Sequence, residues 1–174
     1  TGGSLGALHV NESMTGAVDA LPEGVQVVHL TGRGKDESVR ASVEAAGLSD
    51  RWHVIDYLTT MEDALAVADL VVCRSGAGTV AEMEALGLPC IYVPLPIGNG
   101  EQRLNAADHV AAGGAQLIDD EEFTADFVRR NVFPLLGSTR LADMAAASQS
   151  LGRAGAARAL ADLALDQVKE NSNE

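Results

Sequence analysis

The sequence predicts an α/β fold: a parallel β-sheet covered by helices on both faces. Three observations predict it. Strand-like and helix-like segments alternate along most of the 174 residues. The strand-like runs are short and almost wholly apolar, as in Leu70–Cys73 and Cys90–Val93. That is the pattern of strands buried on both sides rather than on one. Glycines gather where the runs end, at 2–6, 31–34, 74–78 and 94–102, as loops that approach a ligand closely require.

The elements follow in order. Ala7–Leu21 reads as a helix and Val25–Leu30 as a strand ended by Gly32 and Gly34. Asp36–Ala46 is helical, with Gly47 as its stop. Trp52–Asp56 is a strand, and Thr60–Ala68 is a helix in which Thr59 and Glu62 have capping-box spacing. Then come strand Leu70–Cys73, helix Thr79–Leu86, strand Cys90–Val93, helix Gln102–Ala112 and strand Ala115–Ile118. From Thr124 to about Lys169 the chain reads as helices broken near Gly137 and Gly152. Repeated strand–helix–strand units make the sheet parallel and Rossmann-like. Such sheets bind ligands at the carboxyl ends of their strands, so the candidate loops are Gly2–Gly6, Thr31–Gly34, Tyr57–Thr60, Arg74–Gly78 and Pro94–Gln102.

The opening Thr1-Gly2-Gly3-Ser4 looks like a strand-to-helix loop without its strand. Residues 1–174 are therefore expected to be one domain of a longer protein, with its first strand missing from the middle of the sheet. Neighbouring strands would then keep unpaired edges that invite self-association.

Bulk properties exclude several functions. A net charge of −13, with Lys35 and Lys169 the only lysines, argues against nucleic acid, which needs a basic face. It equally argues against this domain lying on an anionic membrane. Cys73 and Cys90 fall inside apolar runs and match no zinc spacing, which suits a reducing cytosol. No signal peptide or membrane-spanning stretch is evident. His9, His29, His53 and His109 form no i, i+4 pair, and there is no Asp-x-Asp, so neither a metal nor another cofactor is expected.

Three segments carry chemistry. The glycine loop 1–7 can hold a phosphate on free N–H groups of the following helix, or be a tight turn. It is not a dinucleotide fingerprint, because the second strand ends in Thr31-Gly32-Arg33 without a ribose-binding acid. Cys73-Arg-Ser-Gly-Ala-Gly-Thr-Val-Ala-Glu82 is the most informative. Arg74 can neutralise a diphosphate and residues 75–78 can donate backbone N–H groups. Glu82 fits two roles: its carboxylate can accept two bonds from a ribose diol, or close a capping box with Thr79. In Pro94-Leu-Pro-Ile-Gly-Asn-Gly-Glu-Gln-Arg-Leu-Asn105, Gln102 and Asn105 lie one helical turn apart and suit sugar hydroxyls, or are ordinary polar helix-start residues.

Taken with Gly87-Leu-Pro89, Val93-Pro-Leu-Pro96 and Gln102-Arg-Leu-Asn-Ala106, these segments resemble the C-terminal domain of the MurG family over roughly residues 1 to 165. The resemblance implies one half of a GT-B glycosyltransferase that binds UDP-N-acetylglucosamine. By that similarity Glu82 holds the ribose and the backbone at Leu58 reads the uracil. Gly3, Ser4 and the Ala77, Gly78 and Thr79 backbone meet the diphosphate beside Arg74. Gln102 and its neighbours Glu101 and Asn105 lie at the sugar. The family usually carries a second glutamine at position 101, which bears on sugar selection. It often has a larger residue at position 78, so Gly78 is expected to loosen the diphosphate loop.

The implied reaction transfers N-acetylglucosamine, with inversion and without metal, to a lipid-linked muramoyl-pentapeptide, as in peptidoglycan synthesis. The general base, the acceptor site and the membrane contact would belong to an N-terminal domain. The whole protein would sit peripherally on the cytoplasmic face of the membrane. Competing readings are a donor-binding subunit of a split transferase, a GT-B-like UDP-sugar epimerase, and a non-enzymatic nucleotide-sugar-binding module.

Overall fold

The computed structural model describes residues 1–2, 7–97, 99–152, 161 and 165. Helix α1 (Leu8–Thr15) is followed by strand β1 (Val27–Leu30), helix α2 (Glu37–Ala45), strand β2 (Trp52–Ile55) and helix α3 (Met61–Ala66). Strand β3 (Val71–Cys73), helix α4 (Ala77–Leu86), strand β4 (Cys90–Tyr92), helices α5 (Glu101–Asn105) and α6 (Ala107–Ala111) and strand β5 (Ala115–Leu117) complete the alternating part. A short turn of helix α7 (Ala125–Phe127) runs through a π-helical segment, Val128–Val132, before helix α8 (Thr139–Leu151).

All strand pairings are parallel, as expected, but they form two sheets rather than one: β1–β2 and β3–β4–β5. Among the described residues no strand lies between β1 and β3. A cavity of about 830 Å³ separates them, lined by Val27 and Leu30 of β1, Val71 and Val72 of β3, and Leu141 of α8. The amino group of Thr1 donates to the Val72 carbonyl at 2.8 Å, on the β3 side of this gap.

Both faces of the three-stranded sheet are covered, which explains the unbroken apolar runs. Side chains alternate across a strand. Ile91 and Val93 point into one core cluster, with Val10 of α1, Val39 and Val43 of α2, and Met144 of α8. Cys90 and Tyr92 point into the other, with Leu65 of α3 and Val80 and Met83 of α4.

Several boundaries differ from the sequence reading. The predicted helix Ala7–Leu21 ends at Thr15 and resumes as a 3-10 turn, Val18–Ala20. The predicted helix Gln102–Ala112 is broken at Ala106, fully buried in the second cluster. The Thr59/Glu62 box does not form: the N-cap of α3 is Thr60, and no side chain caps it. Gly47 does stop α2, at φ +68°. Gly87 ends α4 in the same conformation, and a Cβ there would come within 2.5 Å of Gln149 on α8. Only glycine lets α4 stop against α8 in this way.

A buried polar chain ties α1 to the end of β1. The Trp52 indole N–H donates to Nδ1 of His29 (3.2 Å), and Nε2 of His29 meets Oδ1 of Asn11 (3.0 Å). Nδ2 of Asn11 then donates to the Thr31 carbonyl (3.0 Å). This fixes the start of the Thr31–Gly34 loop relative to α1.

Candidate functional site

The carboxyl ends of β1, β2 and β3 open into one cleft of about 390 Å³. Its walls come from Leu30 and Gly32 at the end of β1, Tyr57 and Leu58 after β2, and Arg74 and Gly76 after β3. Thr79 and Glu82 of α4 and Gln102 of α5 complete it. Five residues singled out in the sequence therefore meet: Leu58, Arg74, Thr79, Glu82 and Gln102. Ala77, Gly78, Glu101 and Asn105 are not among the lining residues. Gly3 and Ser4 lie outside the described residues.

Helix α4 starts two residues earlier than its sequence suggests. Its N-cap is Gly76, extended at ψ 148°, and no side chain caps it. Thr79 is thus the third helical residue rather than a cap, and the Thr79/Glu82 box does not exist. Glu82 is in the second turn, exposed, and lines the cleft. The first amides of α4, from Ala77 to Thr79, have no intrahelical acceptor. They present the positive end of the helix dipole beside the cleft.

Gly78 belongs to this helix, not to a loop. Its φ is not in the left-handed region, and a Cβ there would meet nothing within 4 Å. At this position glycine acts by lowering helix propensity. Gly78→Ala is expected to stabilise the fold by about 0.5–1 kcal/mol. A melting temperature higher by about 1–4 °C would register it for a domain of this size.

Arg74 lines the cleft, and one end of its guanidinium is already engaged. Its guanidinium donates to the carbonyls of Val93 (3.0 Å) and Pro94 (2.9 Å) and forms an ion pair with Asp120. Asp120 also meets Nδ1 of His9 at 3.1 Å. Arg74 therefore locks the end of β3 to the end of β4 and the segment after β5. Asp120 offsets part of the positive charge that the sequence reading assigned to a diphosphate. Asp120 was not foreseen. The available signal was its place just past the carboxyl end of β5, where the other loops gather.

The remaining groups are oriented by the backbone. The Asp56 carboxylate accepts from the Tyr57 N–H (2.7 Å), fixing the turn that carries Leu58. The Arg33 guanidinium stacks over the Tyr57 ring, 3.6 Å from its centroid, at the same turn. Oε1 of Gln102 accepts from the Leu95 N–H (3.0 Å), which leaves its Nε2 as the free donor. Nδ2 of Asn105 donates to the Ser75 carbonyl (3.1 Å). Glu101 is exposed in the first turn of α5, after Gly100. Among the described residues no group of three or more His, Cys, Asp or Glu side chains is placed to hold a metal ion. No described helix is long and apolar enough to cross a membrane.

Parallel strands whose carboxyl ends open on a cleft, with a helix N-terminus at its wall, define the class of α/β domains that bind ligands at the strand ends. Within that class the chain belongs to glycosyltransferase family 28: the model of its C-terminal domain matches residues 1–160. The chain is 45% identical over 170 residues to the UDP-N-acetylglucosamine--N-acetylmuramyl-(pentapeptide) pyrophosphoryl-undecaprenol N-acetylglucosamine transferase of Paenarthrobacter aurescens (strain TC1). That match covers 97% of this chain and 45% of the relative. The crystal structure of Acinetobacter baumannii MurG superposes with a TM-score of 0.83 at 28% identity, over 94% of this chain and 47% of that one. A UDP-N-acetylglucosamine 2-epimerase matches at 22% identity and a TM-score of 0.66, over 94% of this chain and 41% of that one; this likeness is one of fold. The chain thus spans about half the length of the relatives it matches.

Proposed function

We propose that this chain is the donor-binding half of an inverting N-acetylglucosaminyltransferase and that its cleft holds UDP-N-acetylglucosamine. The observation that carries the reading is the exposed Glu82 carboxylate, free of any capping role, beside the uncapped start of α4. In this reading Glu82 accepts from both ribose hydroxyls, and the turn at Leu58 takes the uracil. The amides of Ala77, Gly78 and Thr79 hold the diphosphate, and Nε2 of Gln102 donates to the sugar. The diphosphate's charge is met by oriented amides and the helix dipole, so binding proceeds without a divalent cation.

The rest of the reaction rests on the relatives' names and on the family. The acceptor is a lipid-linked muramoyl-pentapeptide, and the product an intermediate of peptidoglycan synthesis. A further domain supplies the acceptor site, the catalytic base and contact with the cytoplasmic face of the membrane. Residues 1–174 bind the donor and take no part in membrane contact.

Calorimetric titration of the purified chain tests this. UDP and UDP-N-acetylglucosamine are expected to bind, NAD is not, and a chelator is expected to leave both affinities unchanged. No turnover of a lipid-linked acceptor is expected from the chain alone. Nucleotide binding that vanishes with chelator and returns with magnesium or manganese, or a preference for NAD, would overturn the reading.

A further inference from the structure

Two amide side chains on α5 sit one turn apart, and each is already bonded at one end to the backbone. Gln102 faces the cleft and is oriented by Leu95. Asn105 is different. It is not among the residues lining the cleft, and its Nδ2 donates to the carbonyl of Ser75 at 3.1 Å, across 30 residues of sequence. Ser75 is fully buried and immediately precedes Gly76, the N-cap from which α4 starts. A neutral hydrogen bond to a buried carbonyl is worth holding, because an unmet buried acceptor is costly.

From the other side the same short segment is fixed by Arg74, whose guanidinium grips the Val93 and Pro94 carbonyls. Residues 74–76 are therefore pinned at two points, to the end of β4 by Arg74 and to α5 by Asn105. The pinning sets where the helix axis of α4 begins and where its first amides point. Such amides act on an anion only when held in place before it arrives.

We infer that Asn105 is a positioning residue: it places Ser75 and Gly76, and through them the N-terminal amides of α4, rather than contacting the sugar. The inference rests on the reading of those amides as the diphosphate site. It differs from the placing of Asn105 with Gln102 at the sugar hydroxyls that the resemblance implies.

The test compares UDP with UDP-N-acetylglucosamine on the chain and on Asn105→Ala and Asn105→Asp. A positioning role weakens both ligands by the same factor, about two- to ten-fold for Asn105→Ala. The loss is larger for the nearly isosteric Asn105→Asp, whose carboxylate would face the Ser75 carbonyl. A sugar contact instead lowers only the affinity for UDP-N-acetylglucosamine and leaves UDP unchanged, which would overturn the inference. Backbone amide chemical shifts of the ligand-free variants give the second readout. Changes at residues 75–78 support positioning, and changes confined to α5 overturn it. If the unsubstituted chain binds neither ligand, the proposed function falls, and the ligand-free shifts still decide the role of Asn105.

Discussion

Glu82→Ala is expected to weaken UDP binding about 10- to 150-fold while leaving the melting temperature unchanged or slightly raised. A hydrogen bond to a charged group contributes about 1.5–3 kcal/mol, which sets the range. The structure removes the usual objection that such a variant also damages the fold. Helix α4 is capped at Gly76 without any side chain, so Glu82 closes no capping box. The residue is exposed, and alanine is at least as good a helix former. Nucleotide analogues sharpen the test. If the carboxylate binds the ribose diol, the unsubstituted chain prefers UDP over 2′-deoxy-UDP, and the variant loses that preference. A double cycle of protein and ligand changes isolates the contact from indirect effects. Unchanged affinity accompanied by a lower melting temperature would return Glu82 to a structural role.

How far this site was legible in the sequence depends on what kind of information placed each residue. The order of elements follows from apolar runs, and the buried strands β3 and β4 were visible because both of their faces are covered. The cleft at the strand ends follows from topology alone. Sequence spacing misled at Thr79 and Glu82. Their three-residue separation fits a capping box, but helix starts depend on where the preceding strand and loop deliver the chain. Here Gly76 takes the cap position. The same holds for Thr59 and Glu62, where the cap falls on Thr60.

Long-range partners were the least legible. Arg74 suggested a diphosphate contact from its charge and its place in the Gly/Ser loop. Its partners, Val93, Pro94 and Asp120, are 19 to 46 residues away. Asn105 reaches Ser75 across a similar distance. No local pattern encodes which side chain bridges two loops, since that depends on how β4 and β5 align beside β3. The family resemblance points to segments, and it does not distinguish a residue that would touch a ligand from one that holds its segment in place.

Acid is expected to destabilise the chain strongly, beginning near pH 6.5, and His29 is the main cause. The ring is buried on β1, with 5% of its surface exposed. In its neutral form both nitrogens are satisfied: Nδ1 accepts from Trp52, and Nε2 donates to Asn11. A second proton on Nδ1 would oppose the Trp52 N–H. Burial pushes the pKa from 6.5 down to about 3. An unfolded chain takes up this proton as pH falls through 6.5, whereas the folded one does not until near pH 3. The stability contribution is therefore complete above pH 6.5 and drains away as pH falls toward 3. At about 1.4 kcal/mol per pH unit, the loss approaches about 5 kcal/mol at the lower limit. That is a large part of what a typical domain has. His109, whose pKa burial also lowers, adds in the same sense. So do Asp19 and Asp36, held below their usual range by hydrogen bonds from Arg129 and Arg40. Urea unfolding at pH 7.5, 6, 5 and 4 measures the slope. His29→Gln keeps an acceptor and a donor but does not titrate. It lowers stability at pH 7.5 through imperfect packing, and it flattens the dependence on pH by about one proton between pH 6 and 4. Equal slopes for the two proteins would show that His29 is not the group the acid acts on.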